Sequence, residues 1–159
     1  MGECTNRELA DLGIPSLAAA LEAIPAHVLL DIELKEAPAE SFFSDLAGSR
    51  GQGAEGVVIS SFSPDALRDV ARVAPTWPLW LNAESIAEAA KVLDLPCTGI
   101  AAALALLSDE RLERWRASGL EIAAWTARTA EAAAWGRDAR LTALCVEGEA
   151  LASLRGTRR

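Results

Sequence analysis

Strand-like and helix-like segments alternate along the whole 159-residue chain. Apolar segments typical of buried strands begin near residues 28, 57, 79, 98, 121 and 142, the fourth being the weakest, and a segment of helical periodicity follows each of them. A strand–helix unit that recurs after roughly 20 to 30 residues predicts a parallel sheet covered by helices. No linker longer than a loop interrupts the pattern, so residues 1–159 are interpreted as one domain.

Helix starts are marked by capping residues and prolines. Serine or threonine stands where a helix is expected to begin at Ser16, Ser63, Ser108 and Thr129, and Pro38 suits the first turn of another helix. Residues before Ile14 are interpreted as a polar lead. These boundaries leave six strands with a helix after each, which is the order of an α/β fold.

The first strand, predicted over residues 28–35, differs from the others because one of its faces is charged. Side chains alternate along a strand, so Asp31, Glu33 and Lys35 share one face, while the leucine and isoleucine residues between them share the other. In one interpretation this is an edge strand whose charged face is solvated. In the other the charges point into a site, where a carboxylate binds a divalent cation and the lysine binds an anion.

Polar and aromatic residues collect where the predicted strands end. They are Lys35, Ser60–Phe62, Asn82, Trp125–Thr126 and Glu147. Parallel α/β folds place their sites at the carboxyl edge of the sheet. This distribution favours the interpretation in which the charges of the first strand belong to a site.

Composition excludes several classes of partner. The formal net charge of −8 disfavours nucleic acid, whose binding needs clustered Lys and Arg. No apolar run approaches the ~20 residues that cross a bilayer. The amino terminus has no basic segment followed by an apolar stretch, so a cytoplasmic location is expected.

Cysteines and most tryptophans are interpreted as structural. The three cysteines, Cys4, Cys97 and Cys145, are far apart and form no paired motif, which indicates neither a disulfide framework nor a zinc site. Cys97 and Cys145 lie in or beside apolar strands and are expected to be core thiols. Packing roles are expected for Trp77, Trp80, Trp115 and Trp135.

Several short motifs, in order along the chain, resemble the glycerophosphodiester phosphodiesterase family. They include Thr5–Leu9, Ile14–Leu17, Asp31–Lys35, Val58–Pro64, Ala74-Pro75, Gly119-Leu120 and Ala124–Thr126. The resemblance implies a TIM-type (β/α)8 barrel that hydrolyses glycerophosphodiesters to glycerol 3-phosphate and an alcohol, with Mg²⁺ or Ca²⁺ as cofactor.

The resemblance also implies roles for individual residues. Glu33 corresponds to a metal ligand and Lys35 to an active-site cation near the phosphate. Ser60 and Phe62 correspond to pocket-lining residues, and Trp125 to an apolar wall beside the glycerol moiety. From the residues alone, Ser60 is equally consistent with turn chemistry, and Trp125 with a core aromatic.

This sequence departs from the family pattern at both ends. Barrels of this type have eight strands in about 250 residues, so six strands predict an incomplete barrel that lacks the first two βα units. The family's His-Arg-Gly motif, its Glu-x-Asp metal ligands and its second catalytic histidine are absent. The single histidine, His27, precedes the first strand and is interpreted as a loop residue, and Val146–Glu149 replaces the family's Thr-Asp-x-Pro.

Three hypotheses therefore stay open. The first is a truncated phosphodiesterase that is weak or inactive alone. The second is a non-catalytic binding or partner module whose open barrel edges favour self-association. The third is another phosphoester hydrolase of the same barrel class, which would share Glu33 and Lys35.

Overall fold

A computed structural model describes residues 5–25, 27–36, 38, 41–50 and 56–156. The strands are β1 (Leu30–Glu33), β2 (Val57–Ser61), β3 (Leu79–Ala83), β4 (Gly99–Ala103), β5 (Glu121–Ala127) and β6 (Ala143–Val146). The α-helices are α1 (Asn6–Asp11), α2 (Leu17–Ala23), α3 (Ser41–Arg50), α4 (Pro64–Val73), α5 (Ile86–Ala89), α6 (Asp109–Ala117), α7 (Ala130–Asp138) and α8 (Gly148–Gly156).

All six strands belong to one parallel sheet in the order β1-β2-β3-β4-β5-β6. The sheet is curled into a half-barrel, which confirms the predicted incomplete TIM-barrel-like fold. Among the described residues β1 pairs only with β2, and β6 only with β5, so these two strands form the edges. All carboxyl ends meet at one rim of the half-barrel because the strands are parallel.

The outer face of the sheet packs against the helices and forms the main core. Alternate strand residues, such as Ile59, Leu81 and Ile100, are almost fully buried there. The helices contribute Leu46, Leu67, Val70, Leu112 and Trp115. This arrangement is expected for parallel strands, whose crossover helices pack on the sheet.

The inner, concave face holds a smaller cluster made by Val58, Trp80, Ala101 and Ala123. The indole of Trp80 lies across β4 at Gly99, and its Nε1 donates a hydrogen bond to Glu121 Oε2 at 3.0 Å. A Cβ atom at Gly99 would come within 2.5 Å of the Trp80 ring, so glycine is required for this packing. The predicted packing role of Trp80 is therefore confirmed.

Trp77 and Trp115 are buried as predicted, but Trp135 and Cys145 are not core residues. Trp135 is exposed on α7. Cys145 is exposed because it lies on the edge strand β6, where no further strand covers it. Cys97 is half-buried against the main core, and burial raises the pKa of its thiol to about 11.

Two local predictions need correction. β1 spans only Leu30–Glu33, so Lys35 lies in a bend after the strand and not within it. The lead before Ile14 contains α1, which begins with a capping box: the Thr5 side chain accepts from the Glu8 backbone, and the Glu8 carboxylate accepts from the Thr5 backbone. The Thr-x-x-Glu spacing is the signal that predicts such a helix start.

None of the helices in the described ranges is long and apolar enough to cross a membrane.

Candidate active site at the carboxyl edge of the sheet

The charged face of β1 points to the inner face of the half-barrel, at its open edge. Side chains alternate along β2, so Ser60 lies on the same inner face as Val58. The Asp31 carboxyl group interacts with the side chain of Ser60. The Glu33 carboxylate forms an ion pair with Lys35 Nζ. β1 is therefore an edge strand, and its charged residues face the interior of the curled sheet.

The bend that carries Lys35 is held against β2 by backbone and side-chain hydrogen bonds. Leu34 N donates to Ser60 O at 2.7 Å, and Ser61 Oγ donates to Leu34 O at 2.7 Å. Ser61 Oγ also accepts from Ser63 N at 3.1 Å, at the start of α4. The polar residues that follow β2 thus fix the turn from which Lys35 extends toward the carboxyl rim.

A cation and two aromatic rings form a row along this rim, which we call the Lys35–Phe62–Trp125 row. Lys35 Nζ lies 5.7 Å from the centroid of the Phe62 ring. The Phe62 and Trp125 rings meet edge to face, with centroids 5.9 Å apart and an interplanar angle of 74°. Trp125 Nε1 donates to Ala101 O at 3.0 Å, which holds the indole across β4. The row combines positive charge with an apolar wall.

Accessibility differs between the predicted site residues. Side chains of Lys35 and Glu33 are 68% and 36% exposed, and Phe62 is 40% exposed. Trp125 is half-buried, whereas Ser60 is fully buried beneath the rim. The structure therefore brings Glu33, Lys35, Phe62 and Trp125 together, with Ser60 in the layer below them.

A polar network lies in that lower layer. Asn82 Nδ2 donates to Ser60 Oγ at 3.2 Å, and the Ser60 hydroxyl interacts in turn with the Asp31 carboxylate. Partial burial raises the pKa of Asp31, and the charge of Glu33 raises it further, while the Ser60 hydrogen bond opposes the shift. Asn82 stands at a strand end in the sequence, but only the register of the sheet shows that it joins Ser60 and Asp31.

The two edge strands face each other across the opening of the half-barrel. Although Cys145 is exposed as a residue, partial burial raises the pKa of its thiol on β6, and the negative charge of Asp31 on β1 raises it further. At the rim, Arg128 Nε and Glu147 Oε1 form an ion pair between the ends of β5 and β6. Charged pairs therefore flank both sides of the opening at the carboxyl end.

His27 lies in a turn before the amino end of β1 and is exposed. The carboxyl rim is at the other end of the same strand, so His27 is placed as predicted from the sequence, away from the Lys35–Phe62–Trp125 row. At the opposite end of the strand, His27 is too far away to transfer a proton to or from a ligand bound at that row.

The residues at the rim do not by themselves fit a divalent cation. Mg²⁺ and Ca²⁺ require about six or more oxygen ligands, with several carboxylates among them in an all-protein site. Among the described residues no three His, Cys, Asp or Glu side chains form a group that could hold a metal ion. Glu33 offers one carboxylate, and that carboxylate is already paired with Lys35.

Solved structures of glycerophosphodiester phosphodiesterases have the same fold. The Thermotoga maritima protein has a TM-score of 0.71 at 18% identity, with 96% of this chain and 70% of that chain covered. An Oleispira antarctica phosphodiesterase in complex with the product sn-glycerol-3-phosphate has a TM-score of 0.68 at 19% identity, with coverage of 89% and 61%. A Parabacteroides distasonis glycerophosphodiester phosphodiesterase has a TM-score of 0.69 at 18% identity, with coverage of 91% and 67%.

This chain therefore spans between 61% and 70% of the length of these three proteins. At 18–19% sequence identity, the structural similarity shows the fold alone. No curated protein sequence matches the chain. The sequence model of the Glycerophosphoryl diester phosphodiesterase family, in contrast, matches residues 9–148, which is most of the chain. The motifs, the curled parallel sheet and this match agree, and the chain belongs to the glycerophosphoryl diester phosphodiesterase family.

Proposed function

We propose that the carboxyl rim binds the phosphate and glycerol parts of a glycerophosphodiester. The reaction of the family is that of a phosphoric diester hydrolase, in which a glycerophosphodiester and water give glycerol 3-phosphate and an alcohol, and this chain alone is expected to be weak or inactive in it. The observation that carries the proposal is the Lys35–Phe62–Trp125 row, in which a cation adjoins two aromatic rings. The product complex of the Oleispira antarctica relative supports this class of ligand.

Each member of the row has a separate task in this proposal. Lys35 exchanges its Glu33 partner for the phosphate, and a positive charge near a phosphoryl group stabilises the negative charge that the transition state carries. Phe62 and Trp125 pack against the carbon atoms of the glycerol moiety. Glu33 is proposed as a contact to Mg²⁺ or Ca²⁺, although the described residues by themselves do not supply the ligands that such an ion requires.

Replacement of Lys35 by glutamine is expected to lower the affinity for glycerol 3-phosphate by about 10- to 100-fold. Loss of a charge-assisted hydrogen bond costs roughly 1.5–3 kcal/mol, and 1.4 kcal/mol corresponds to a factor of ten. Isothermal titration calorimetry with the purified chain measures this change. Arg68→Gln is the matched control, because Arg68 is an exposed cation paired with Asp65 on α4 and its loss changes the net charge equally.

Two outcomes would contradict the proposal. One is a Lys35→Gln variant that binds glycerol 3-phosphate as well as the unsubstituted chain. The other is an Arg68→Gln variant that loses the same affinity, which would mean that overall charge and not the rim determines binding.

The location of the protein, its single-domain organisation and its substrate class are also proposed. A cytoplasmic location is supported by the free thiols of Cys97 and Cys145, since free cysteines suit a reducing compartment. A role in lipid or glycerol metabolism follows from the proposed substrate. A single domain is supported by the uninterrupted pairing from β1 to β6. A different phosphoester substrate would also bind through Lys35. Binding measurements with a panel of phosphodiesters distinguish such a substrate from glycerophosphodiesters.

Open sheet edges favour a second candidate function, that of a partner module which associates with a second copy. Leu29 is 52% exposed beside the edge strand β1, and an exposed parallel edge offers unpaired backbone groups to another strand. Light scattering is expected to show self-association that Leu29→Lys weakens. Val73→Lys on α4, which is 39% exposed, is the control. A monomer at all concentrations would exclude this candidate.

A further inference from the structure

The side chain of Asn82 is buried but only partly hydrogen-bonded. Asn82 is 6% exposed, and its Nδ2 donates to Ser60 Oγ at 3.2 Å. Among the described residues its carbonyl oxygen, Oδ1, accepts no hydrogen bond. A buried acceptor without a donor is unfavourable, and such groups require an explanation.

Its neighbours determine which way the amide of Asn82 is turned. The Ser60 oxygen accepts a hydrogen bond from Asn82 Nδ2 at 3.2 Å, and the Ser60 hydroxyl group also interacts with the Asp31 carboxyl group, which leaves the Ser60 proton for Asp31. Asn82 must therefore present its NH₂ group to Ser60, and Oδ1 points away from Ser60. This network favours the orientation in which Nδ2 faces Ser60 and Oδ1 is the remaining acceptor.

The unpaired Asn82 Oδ1 lies on the inner face of the sheet, next to the part of β4 that the Trp125 indole crosses. Asn82 is the register partner of Ala101, and Trp125 Nε1 donates to the carbonyl oxygen of that alanine. Ala101 is buried in the cluster against which Trp125 packs, whereas Ala103, the last residue of β4 and the register partner of Trp125, is partly exposed. An acceptor beside an aromatic face suits a polyol, because its carbon atoms pack on the ring while a hydroxyl group donates to the acceptor.

We propose that Asn82 is a ligand-binding residue whose Oδ1 accepts a hydrogen bond from a hydroxyl group of the glycerol moiety. This inference rests on the proposed function, in which Lys35 binds the phosphate of the same ligand. Ser60 and Asp31 are positioning residues, since they act on the ligand only through the orientation of Asn82.

Two ligands that differ only in their hydroxyl groups test the inference. Glycerol 3-phosphate has two hydroxyl groups on its carbon chain, and n-propyl phosphate has the same chain and phosphate without them. The unsubstituted chain is expected to bind glycerol 3-phosphate about tenfold more tightly. Asn82→Leu, which has a similar volume and no acceptor, is expected to abolish this preference by lowering the affinity for glycerol 3-phosphate about tenfold relative to that for n-propyl phosphate.

The outcomes separate this inference from the proposed function. Equal affinity of the unsubstituted chain for the two ligands overturns the role of Asn82 and leaves phosphate binding intact. This measurement needs no variant and therefore stands even if Asn82→Leu fails to fold. An equal loss of both affinities in Asn82→Leu means that Asn82 has only a structural role. An unsubstituted chain that binds neither ligand overturns the proposed function, and the inference with it.

Discussion

The purified 159-residue chain is expected to release no measurable glycerol 3-phosphate from glycerophosphocholine, with Mg²⁺ or Ca²⁺ present. Hydrolysis needs one group to deprotonate water and another to protonate the leaving alcohol, and each contributes about 10²- to 10⁴-fold. The carboxyl rim offers Glu33, which is paired with Lys35, and Asp31, which lies in the layer below. The single histidine of the sequence, His27, lies at the amino end of β1.

An enzyme-coupled assay for glycerol 3-phosphate measures this expectation, with chelator and Glu33→Gln as controls. The unsubstituted chain and Glu33→Gln are expected to be indistinguishable. Metal-dependent turnover that disappears in Glu33→Gln would contradict the prediction and would mean that the rim obtains its proton-transfer groups elsewhere, for example from a second chain. Binding of glycerol 3-phosphate without turnover is the combination expected of a family member whose rim lacks proton-transfer groups.

Substitution of Gly99 by alanine is expected to lower the free energy of unfolding by about 2–4 kcal/mol. The added Cβ would meet the Trp80 ring at 2.5 Å and the backbone oxygen of Glu121 at 2.8 Å. Overpacking typically costs about 1–3 kcal/mol. Displacement of the indole would also break its hydrogen bond to the Glu121 carboxylate, at a further cost of about 1 kcal/mol.

Urea unfolding followed by circular dichroism measures this loss. Gly48→Ala is the matched control, since Gly48 is exposed within α3 and has no neighbouring atoms within 4 Å of the added Cβ. The control is expected to raise stability by about 0.5–1 kcal/mol, because alanine favours a helix over glycine. A Gly99→Ala variant as stable as the unsubstituted chain would show that the indole can leave β4 at no cost.

The boundaries of most elements follow from local sequence patterns. Serine and threonine caps at Ser16, Ser63, Ser108 and Thr129 begin helices as predicted, because each side-chain oxygen accepts from the backbone N–H three residues later. Six strands of parallel type follow from their apolar composition and from the helices between them. Such signals are local, and tertiary packing reinforces them.

The extent of burial could not be predicted from the same patterns. Cys145 lies in an apolar strand, yet it is exposed because β6 is an edge and its inner face is open. Lys35 continues the alternation of β1 in the sequence, although the strand ends at Glu33. Burial depends on which strands have neighbours, and a segment's own composition does not specify its neighbours.

For the candidate site, the sequence determined which residues are present, and the tertiary structure decided which of them are in contact. The sequence by itself determined the strand–helix order, the family motifs and the presence of Glu33, Lys35, Phe62 and Trp125 at strand ends. Tertiary structure alone decided that Phe62 and Trp125 meet edge to face and that Asn82 reaches Ser60 with one acceptor unpaired. The physical reason is that parallel strands bring their ends to one rim whatever their spacing in sequence, whereas contacts between side chains depend on register and curl.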